Sequence, residues 1–474
     1  MQTDAELAAQ IAQRLNALAQ ITEEPGKLTR TYGSAAMRAA NDLVATWMRE
    51  AGMTTEQDAI GNLIGRYPAT AEGCTWKLSA LSPSPASEGG EGRGEEGRQH
   101  CKETPLPVRL AAAKRFGGAE RGEGEASRSA KAFLLGSHLD TVRDAGRFDG
   151  ALGVLVAVAC VQKLHAGGQH LPFDLEVIAF ADEEGVRFQS PYLGSRVLAG
   201  KFDFTDLKRR DAQGVELREA ILRFVGDPDE LLGARRDPKQ ILGYAEVHIE
   251  QGPVLDSKEL PIGVVTGIAG QTRIEAIFCG QAGHAGTTPM SGRCDALVAA
   301  AQFIVEAETL GQSVPGLVVT VGELSVDPGA SNVIPGRARL TVDVRHAHDR
   351  SRTRACESLK ELADRIADDR LQRGLGWGLF WHIVQSTDAV PCSAQLSLLL
   401  KEAASKHVPD VIELPSGAGH DAAVMAAIAP VAMLFVRCKE GVSHHPAESA
   451  AEADVCVALR VMSDFVQRLF QRNG

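Results

Sequence analysis

Residues 132–135, AFLL, carry no polar side chain, and residues 136–153, GSHLDTVRDAGRFDGALG, follow them directly. A short apolar run of this kind reads as a strand buried on both faces. The Val, Ala and Leu residues after position 151 read as a buried helix to about 164, and DLEVIAFA at 174–181 reads as the next buried strand. Strand, apolar helix and strand in succession constrain the chain to an α/β architecture with covered sheet faces. Such sheets place their chemistry just past the strand ends. There the sequence carries His138, Asp140 and Asp149 after the first run, and Asp182-Glu183-Glu184 after the second. Asp140 is placed to accept the second imidazole N–H of His138, the usual device for orienting a metal-bound histidine. Adjacent carboxylates at a strand end raise each other's pKa, which is unusual unless the triplet is simply a solvated turn.

The remaining chain falls into place around this segment. Leu7, Ile11, Leu15 and Leu18 predict an opening amphipathic helix, and Ala40, Leu43, Val44 and Trp47 a second one over 35–51, stopped by Gly52. Residues 62–67 read as a strand whose connection to the run at 132 is interrupted by 75–130. That stretch is rich in Gly, Glu, Arg, Ser and Pro, too polar to order itself by burial. His100 and Cys101 within it are read as incidental. Residues 201–240 have mixed charge and helical periodicity. YAEVHIEQGPVL then alternates as a strand, with His248 and Glu250 on one face and Gln251 on the other.

From 261 to 387 the predicted order is β-α-β-β-α-β, the order of a ferredoxin-like domain. A helix at 393–406, the loop SGAGHD at 416–421, a strand at 431–436, the loop EGVSHHPAE at 440–448 and a final helix return to the first domain. The expected organisation is therefore a catalytic domain split into 1–260 and 388–474, with 261–387 inserted.

A net charge of −11 argues against a nucleic-acid or anionic-membrane partner. The nine cysteines are scattered without a CxxC pair, so neither a disulfide framework nor a zinc ribbon is expected. No signal peptide or apolar run of membrane-spanning length is evident, and a cytoplasmic setting is the expectation.

His138, Asp149, Glu184, His248 and a histidine of Ser443-His444-His445 supply three imidazoles and two carboxylates from separated segments. This donor set suits Zn, Mn, Co or Ni. Five donors exceed one tetrahedral site but fit two metals sharing a carboxylate. Glu183, beside Glu184, could move a proton from water to a leaving nitrogen.

At this point GSHLDTV, FDGALGV, FADEEGVRF, EVHIEQGPVL, GIAGQTR, GHAGTTPM, ASNVIPG and SGAGHDA have accumulated in one order. Together they resemble the dinuclear metallopeptidase-like amidohydrolases, which include allantoate amidohydrolases, N-carbamoyl-L-amino-acid hydrolases and β-alanine synthase. GIAGQTR, SGAGHDAAVM and MLFVRCKEGVSHHPAE look most like the allantoate branch. The resemblance implies a mixed-sheet, zinc-peptidase-like catalytic domain with an inserted ferredoxin-like dimerisation or lid domain. It implies two divalent metals, Mn²⁺ favoured, bridged by Asp149, one also held by His138 and His248, the other by Glu184 and His444. It further implies Glu183 as general base, and His284 as an oxyanion donor supplied across a homodimer. Gln251, Asn332, Arg345, Gly419 and His420 match substrate contacts, with Asn332 and Arg345 on the substrate carboxylate; a guanidinium pairs bidentately with such a group. The reaction implied is hydrolysis of a ureido C–N bond, in allantoate or another N-carbamoyl compound. Where relatives carry one histidine this chain has His444-His445, and alignment to Glu448 favours His444.

Overall fold

The computed structural model describes residues 2–70, 131–371 and 378–471. The stretch 75–130 and its His100 and Cys101 lie outside these residues. The strands are β1 (Thr54–Gln57), β2 (Leu63–Tyr67), β3 (Ala132–His138), β4 (Asp174–Phe180), β5 (Ile241–Ile249), β6 (Ile262–Ile268), β7 (Gly270–Cys279), β8 (Gly283–His284), β9 (Val318–Asp327), β10 (Val333–Ile334), β11 (Arg337–His346), β12 (Gly378–Thr387), β13 (Val390–Pro391), β14 (Ile412–Ser416) and β15 (Val431–Val436). One mixed sheet has the order β1-β2-β4-β3-β5-β15-β6-β13, with β14 beside β6. Its centre, β4-β3-β5-β15, is parallel, and the outer pairings β1/β2, β2/β4, β15/β6 and β13/β6 are antiparallel.

Every residue of β3, β4, β5 and β15 is buried, because both sheet faces are covered. Side chains alternate between two cores. Phe133 and Leu135 of β3 pack on one side with Leu7, Ile11 and Val44 from the first two helices, Val154 and Val158 from helix Ala151–Ala166, and Leu459 from helix Glu452–Gln471. Ala132 and Leu134 face the other side with Leu198, Met425 and Phe435. The opening helix, Asp4–Ala19, starts on a capping box between Thr3 and Glu6, and Ser34 caps helix Ala35–Glu50.

Two placements come from the structure and not from the sequence reading. The predicted strand at 62–67 does not neighbour β3; β4 lies between them, and β1 pairs on its outer side. β1 reaches β2 through a turn in which Asp58 Oδ1 accepts the N–H groups of Ile60, Gly61 and Asn62, a short-range device that polar, exposed β1 (TTEQ) does not advertise by hydrophobicity. The boundary expected at 261 also moves. β6 pairs with β15, β14 and β13 in the large sheet, so the inserted unit begins at β7.

That unit has the β-α-β-β-α-β order, with helices Ala296–Ser313 and Asp349–Arg370 on one face of a sheet ordered β12-β7-β11-β9. Its own core joins Phe278, Phe303, Leu340 and Leu359. A small hairpin, β8 with β10, sets Val333 opposite His284. Among the described residues, no helix is long and apolar enough to cross a membrane.

Helix Ala151–Ala166 approaches the sheet closely through Gly153, where a Cβ would lie 2.1 Å from the Val247 carbonyl oxygen and 2.9 Å from Ser137 Cβ. Neither neighbour is a flexible side-chain tip. Gly153→Ala should therefore lower unfolding stability by about 1–3 kcal/mol, as overpacking does, measured by urea unfolding. A variant as stable as the parent would contradict this packing.

Candidate metal and catalytic site

The parallel strands deliver their polar residues to one edge. His138 ends β3, Asp182-Glu183-Glu184 follow β4, His248 lies one residue before the end of β5, and the 443–448 loop follows β15. Asp149 enters from the loop before helix Ala151–Ala166. Gly150, at φ 65°, adopts a conformation costly for other residues and leaves room where a Cβ would sit 2.5 Å from the His138 ring.

Asp149 is the meeting point. Its Oδ1 lies 3.1 Å from His248 Nε2 and 3.4 Å from His138 Nε2, while its Oδ2 lies 3.1 Å from His444 Nε2. His444 Nε2 is also 3.5 Å from Glu184 Oε1. Among the described residues four groups could hold an ion, the donor atoms of each lying within 4.8 Å of one another: His138-Asp149-His248 and Asp149-Glu184-His444, which share Asp149, and His138-Glu183-Glu184 and Glu246-His248-His420. Imidazole nitrogens with carboxylate oxygens and no thiolate suit a divalent transition-metal ion. His444 is thus in the cluster, whereas His445 Nδ1 accepts the Ala447 N–H in its own loop.

The imidazoles are oriented from behind. His138 Nδ1 is 3.1 Å from the Asp140 carbonyl oxygen, and His248 Nδ1 is 2.9 Å from that of Ile249, leaving Nε2 of each toward Asp149. The Asp140 carboxylate is farther from the ring, at 3.5 Å. Its main work lies elsewhere: Oδ1 accepts the Glu183 N–H and Oδ2 the Glu184 N–H, both at 3.0 Å. The backbone of the acidic pair is therefore pinned to the loop after His138.

Burial and mutual repulsion set the protonation of this cluster. Burial, then the Glu184 charge, push Glu183 well above the usual carboxylate range. Glu184 is pushed up to about 7, first by burial and then by Asp149. Burial would raise Asp149 too, but hydrogen bonds from His138, His248 and His444 outweigh it and hold it well below its ordinary value. His444 rises to about 9, chiefly through its bond to Asp149. His420 is driven down by burial and by His248, and stays neutral.

Gln251 departs from the expected alternation. β5 ends at Ile249, and Gln251 turns at φ 57°, so its amide swings to the same side as His248. Nε2 donates to Asp149 Oδ2 at 3.0 Å and to Ser443 Oγ at 3.1 Å, and Oε1 is buried without a partner among the described residues. Glu250 faces away, accepting the N–H groups of Val254 and Leu255. His420 packs edge-on against His248 with ring centroids 4.5 Å apart, its Nε2 2.8 Å from Ser416 Oγ. Gly419 precedes it in the same loop.

Arg345, on β11, reaches this loop from the inserted unit by donating from Nη1 to the Gly417 carbonyl at 2.8 Å. Asp343 holds the rest of the guanidinium, at 2.8 Å from Nε and 3.2 Å from Nη2. His284 is not among the donor groups around Asp149, and neither it nor Asn332 hydrogen-bonds a member of them among the described residues. Both are exposed, and His284 Nδ1 accepts the N–H groups of Gly286 and Thr287, leaving Nε2 as the donor.

The sequence reading missed three supports. Glu448 Oε1 accepts the Phe148 and Asp149 N–H groups and its Oε2 accepts Ser443 Oγ–H, tying the two metal-side loops together. Glu246, fully buried behind His248, accepts from Ser137, Tyr244 and the Ala422 N–H. Asp343 is the third. A carboxylate inside the apolar strand YAEVHI was the available signal for Glu246; Glu448 and Asp343 carried none.

Residues 134–468 match the model of peptidase family M20/M25/M40. A probable allantoate deiminase of Oryza sativa subsp. japonica is 36% identical over 488 residues, covering 96% of this chain and 87% of its own. An N-carbamoyl-L-amino acid amidohydrolase of Geobacillus stearothermophilus is also 36% identical, covering 97% and 98%. An amidase of the hydantoinase/carbamoylase family from Burkholderia multivorans superposes with a TM-score of 0.78 at 28% identity, over 97% of each chain. With the family model spanning most of the sequence and the relatives nearly all of it, the chain belongs to peptidase family M20/M25/M40 and is an amidohydrolase of that family.

Proposed function

We propose that this amidohydrolase cleaves the ureido C–N bond of a carboxylate-bearing N-carbamoyl compound, with allantoate the favoured substrate and ureidoglycine, ammonia and CO2 the products. The observation that carries the reading is that Glu183 keeps donor-atom reach to His138 and Glu184, members of the two groups that share Asp149, while the Arg345 guanidinium bonds the Gly417 carbonyl of the 416–421 loop that also carries His420. The rice relative supports allantoate. The Geobacillus relative, at the same identity, supports an N-carbamoyl-L-amino acid as the second reading.

His138 and His248 would hold one divalent ion and Glu184 and His444 a second, with Asp149 between them. Such ions, Mn²⁺ favoured and Zn²⁺, Co²⁺ or Ni²⁺ accommodated by the same donors, would polarise the ureido carbonyl and acidify water. Glu183 takes a proton from the attacking water and returns it to the departing nitrogen. Gln251 contributes an open acceptor for a substrate N–H, and Gly419 and His420 line the substrate loop. Arg345, exchanging its present partners for the substrate carboxylate, and Asn332 fix the far end.

His284 is the oxyanion donor in this reading, supplied by a second copy. Its exposure and its absence from the donor groups around Asp149 support that arrangement. So does the inserted sheet, which leaves Leu324 on β9 and Phe380, Ile383 and Val384 on β12 in solvent.

Ammonia release by Mn-reconstituted protein should be strongest on allantoate within a panel that includes N-carbamoyl-L-amino acids. A preference for the latter would select the second reading, and silence on both, with metal bound, would remove the function. In the same assay Arg345→Ala should raise KM about tenfold or more; an unchanged KM would undo the clamp. Glu183→Gln should keep two metals per subunit by elemental analysis yet lose about 10³-fold in kcat; near-parent turnover would take the proton-transfer role from Glu183. Mixing His284→Ala with Glu183→Gln, each nearly inactive alone, should restore up to about a quarter of parental activity in hybrid dimers. No recovery after verified subunit exchange would place His284 in its own chain's site.

A further inference from the structure

Tyr192 lies twelve residues past the end of β4, yet the chain folds back so that its N–H donates to the Glu183 carbonyl at 2.9 Å and the next N–H, of Leu193, donates to the Asp182 carbonyl at 2.8 Å. Its backbone is left-handed, at φ 61° and ψ 31°. For a bulky side chain this is an outlier, a conformation that persists where the surroundings enforce it and that concentrates at ligand sites. The result is a phenol mounted directly on the backbone of the proposed general base.

The phenol tip meets the substrate loop. A Cβ added to Gly419 would lie 1.8 Å from Tyr192 Oη and 3.1 Å from its Cζ, so the hydroxyl fills the space that a side chain at 419 would need. The charges that act on this phenol are those of Glu183, Asp421 and Glu184 on one side and Arg345 on the other; with burial they leave the hydroxyl neutral, raised well above its ordinary pKa. Among the described residues nothing hydrogen-bonds the hydroxyl, and the side chain is only partly buried. A donor without a partner in a charged pocket is open to a ligand.

A substrate stretched from a scissile carbon beside Glu183 to a carboxylate on Arg345 carries its α-carbon past this hydroxyl. We propose that Tyr192 is a specificity-determining residue whose hydroxyl bonds the polar substituent on the substrate's α-carbon, with Gly419 kept free of a side chain to admit it. This rests on the ureido-cleaving function above. It gives a polar α-substituent, such as a second ureido group, an advantage over an aliphatic one, because an aliphatic group leaves the hydroxyl unpaired.

The test compares parent, Tyr192→Phe, Gly419→Ala and the double variant as full-length, Mn-reconstituted protein, on allantoate and on N-carbamoyl-L-leucine. Tyr192→Phe should reduce the ratio of kcat/KM for allantoate to that for N-carbamoyl-L-leucine about tenfold. An unchanged ratio, or a parallel fall on both, overturns the assignment while leaving the ureido-cleaving function intact. A parent inactive on both substrates removes that function and the assignment with it. Independently of activity, Gly419→Ala should lower the melting temperature more in the parent than in the Tyr192→Phe background, where the atom at 1.8 Å is gone. Additive losses would show that the two residues do not share that space.

Discussion

The Asp149 carboxylate, buried and faced by His138, His248 and His444, is the interaction on which the rest of the site depends. Two carboxylates about 4 Å apart repel by about 4 kcal/mol at the effective dielectric of a protein site, and this pocket gathers Asp140, Asp149, Glu183 and Glu184. Imidazolium, protons or divalent ions must balance them. The opposite displacements of Asp149 and Glu184, one driven down by histidines and the other up by burial and by Asp149 itself, are the electrostatic form of that demand. A donor set this crowded is costly as bare charge and becomes favourable around a cation.

The same demand explains the supports behind the donors. Backbone carbonyls take the Nδ1 side of His138 and His248, so neither ring can turn away. Both Asp140 oxygens and Glu448 Oε1 accept main-chain N–H groups, fixing the loops that carry Glu183, Glu184 and Asp149. Rigid loops on the ends of fully buried strands hold like charges in place against their repulsion. Arg345 bonds across the two structural units, so the 416–421 loop is held by both.

Much of this was legible in the chain itself. The buried strands β3 and β4 announced themselves as apolar runs because both sheet faces are covered, β5 announced itself by alternation, and the polar residues that close the first two were conspicuous by contrast. Polar β1 had no such signature, and the outer pairing of β2 could not be read from its own residues. Nor could the end of the alternation at Gln251, since a single left-handed residue reverses the side on which an amide projects. Glu448 and Asp343 look like ordinary surface carboxylates in sequence, and their importance comes from which N–H or guanidinium they meet.

By itself, then, the sequence determined the α/β class, the inserted β-α-β-β-α-β unit and the inventory of imidazoles and carboxylates, because hydrophobic period and residue type are local properties. Tertiary structure decided that β6 belongs to the large sheet, that His444 and not His445 faces Asp149, and that Tyr192 stands over Gly419. Those outcomes depend on strand partners and loop dihedrals set by packing across hundreds of residues, and residue spacing along the chain does not encode the distance between side chains brought together in that way.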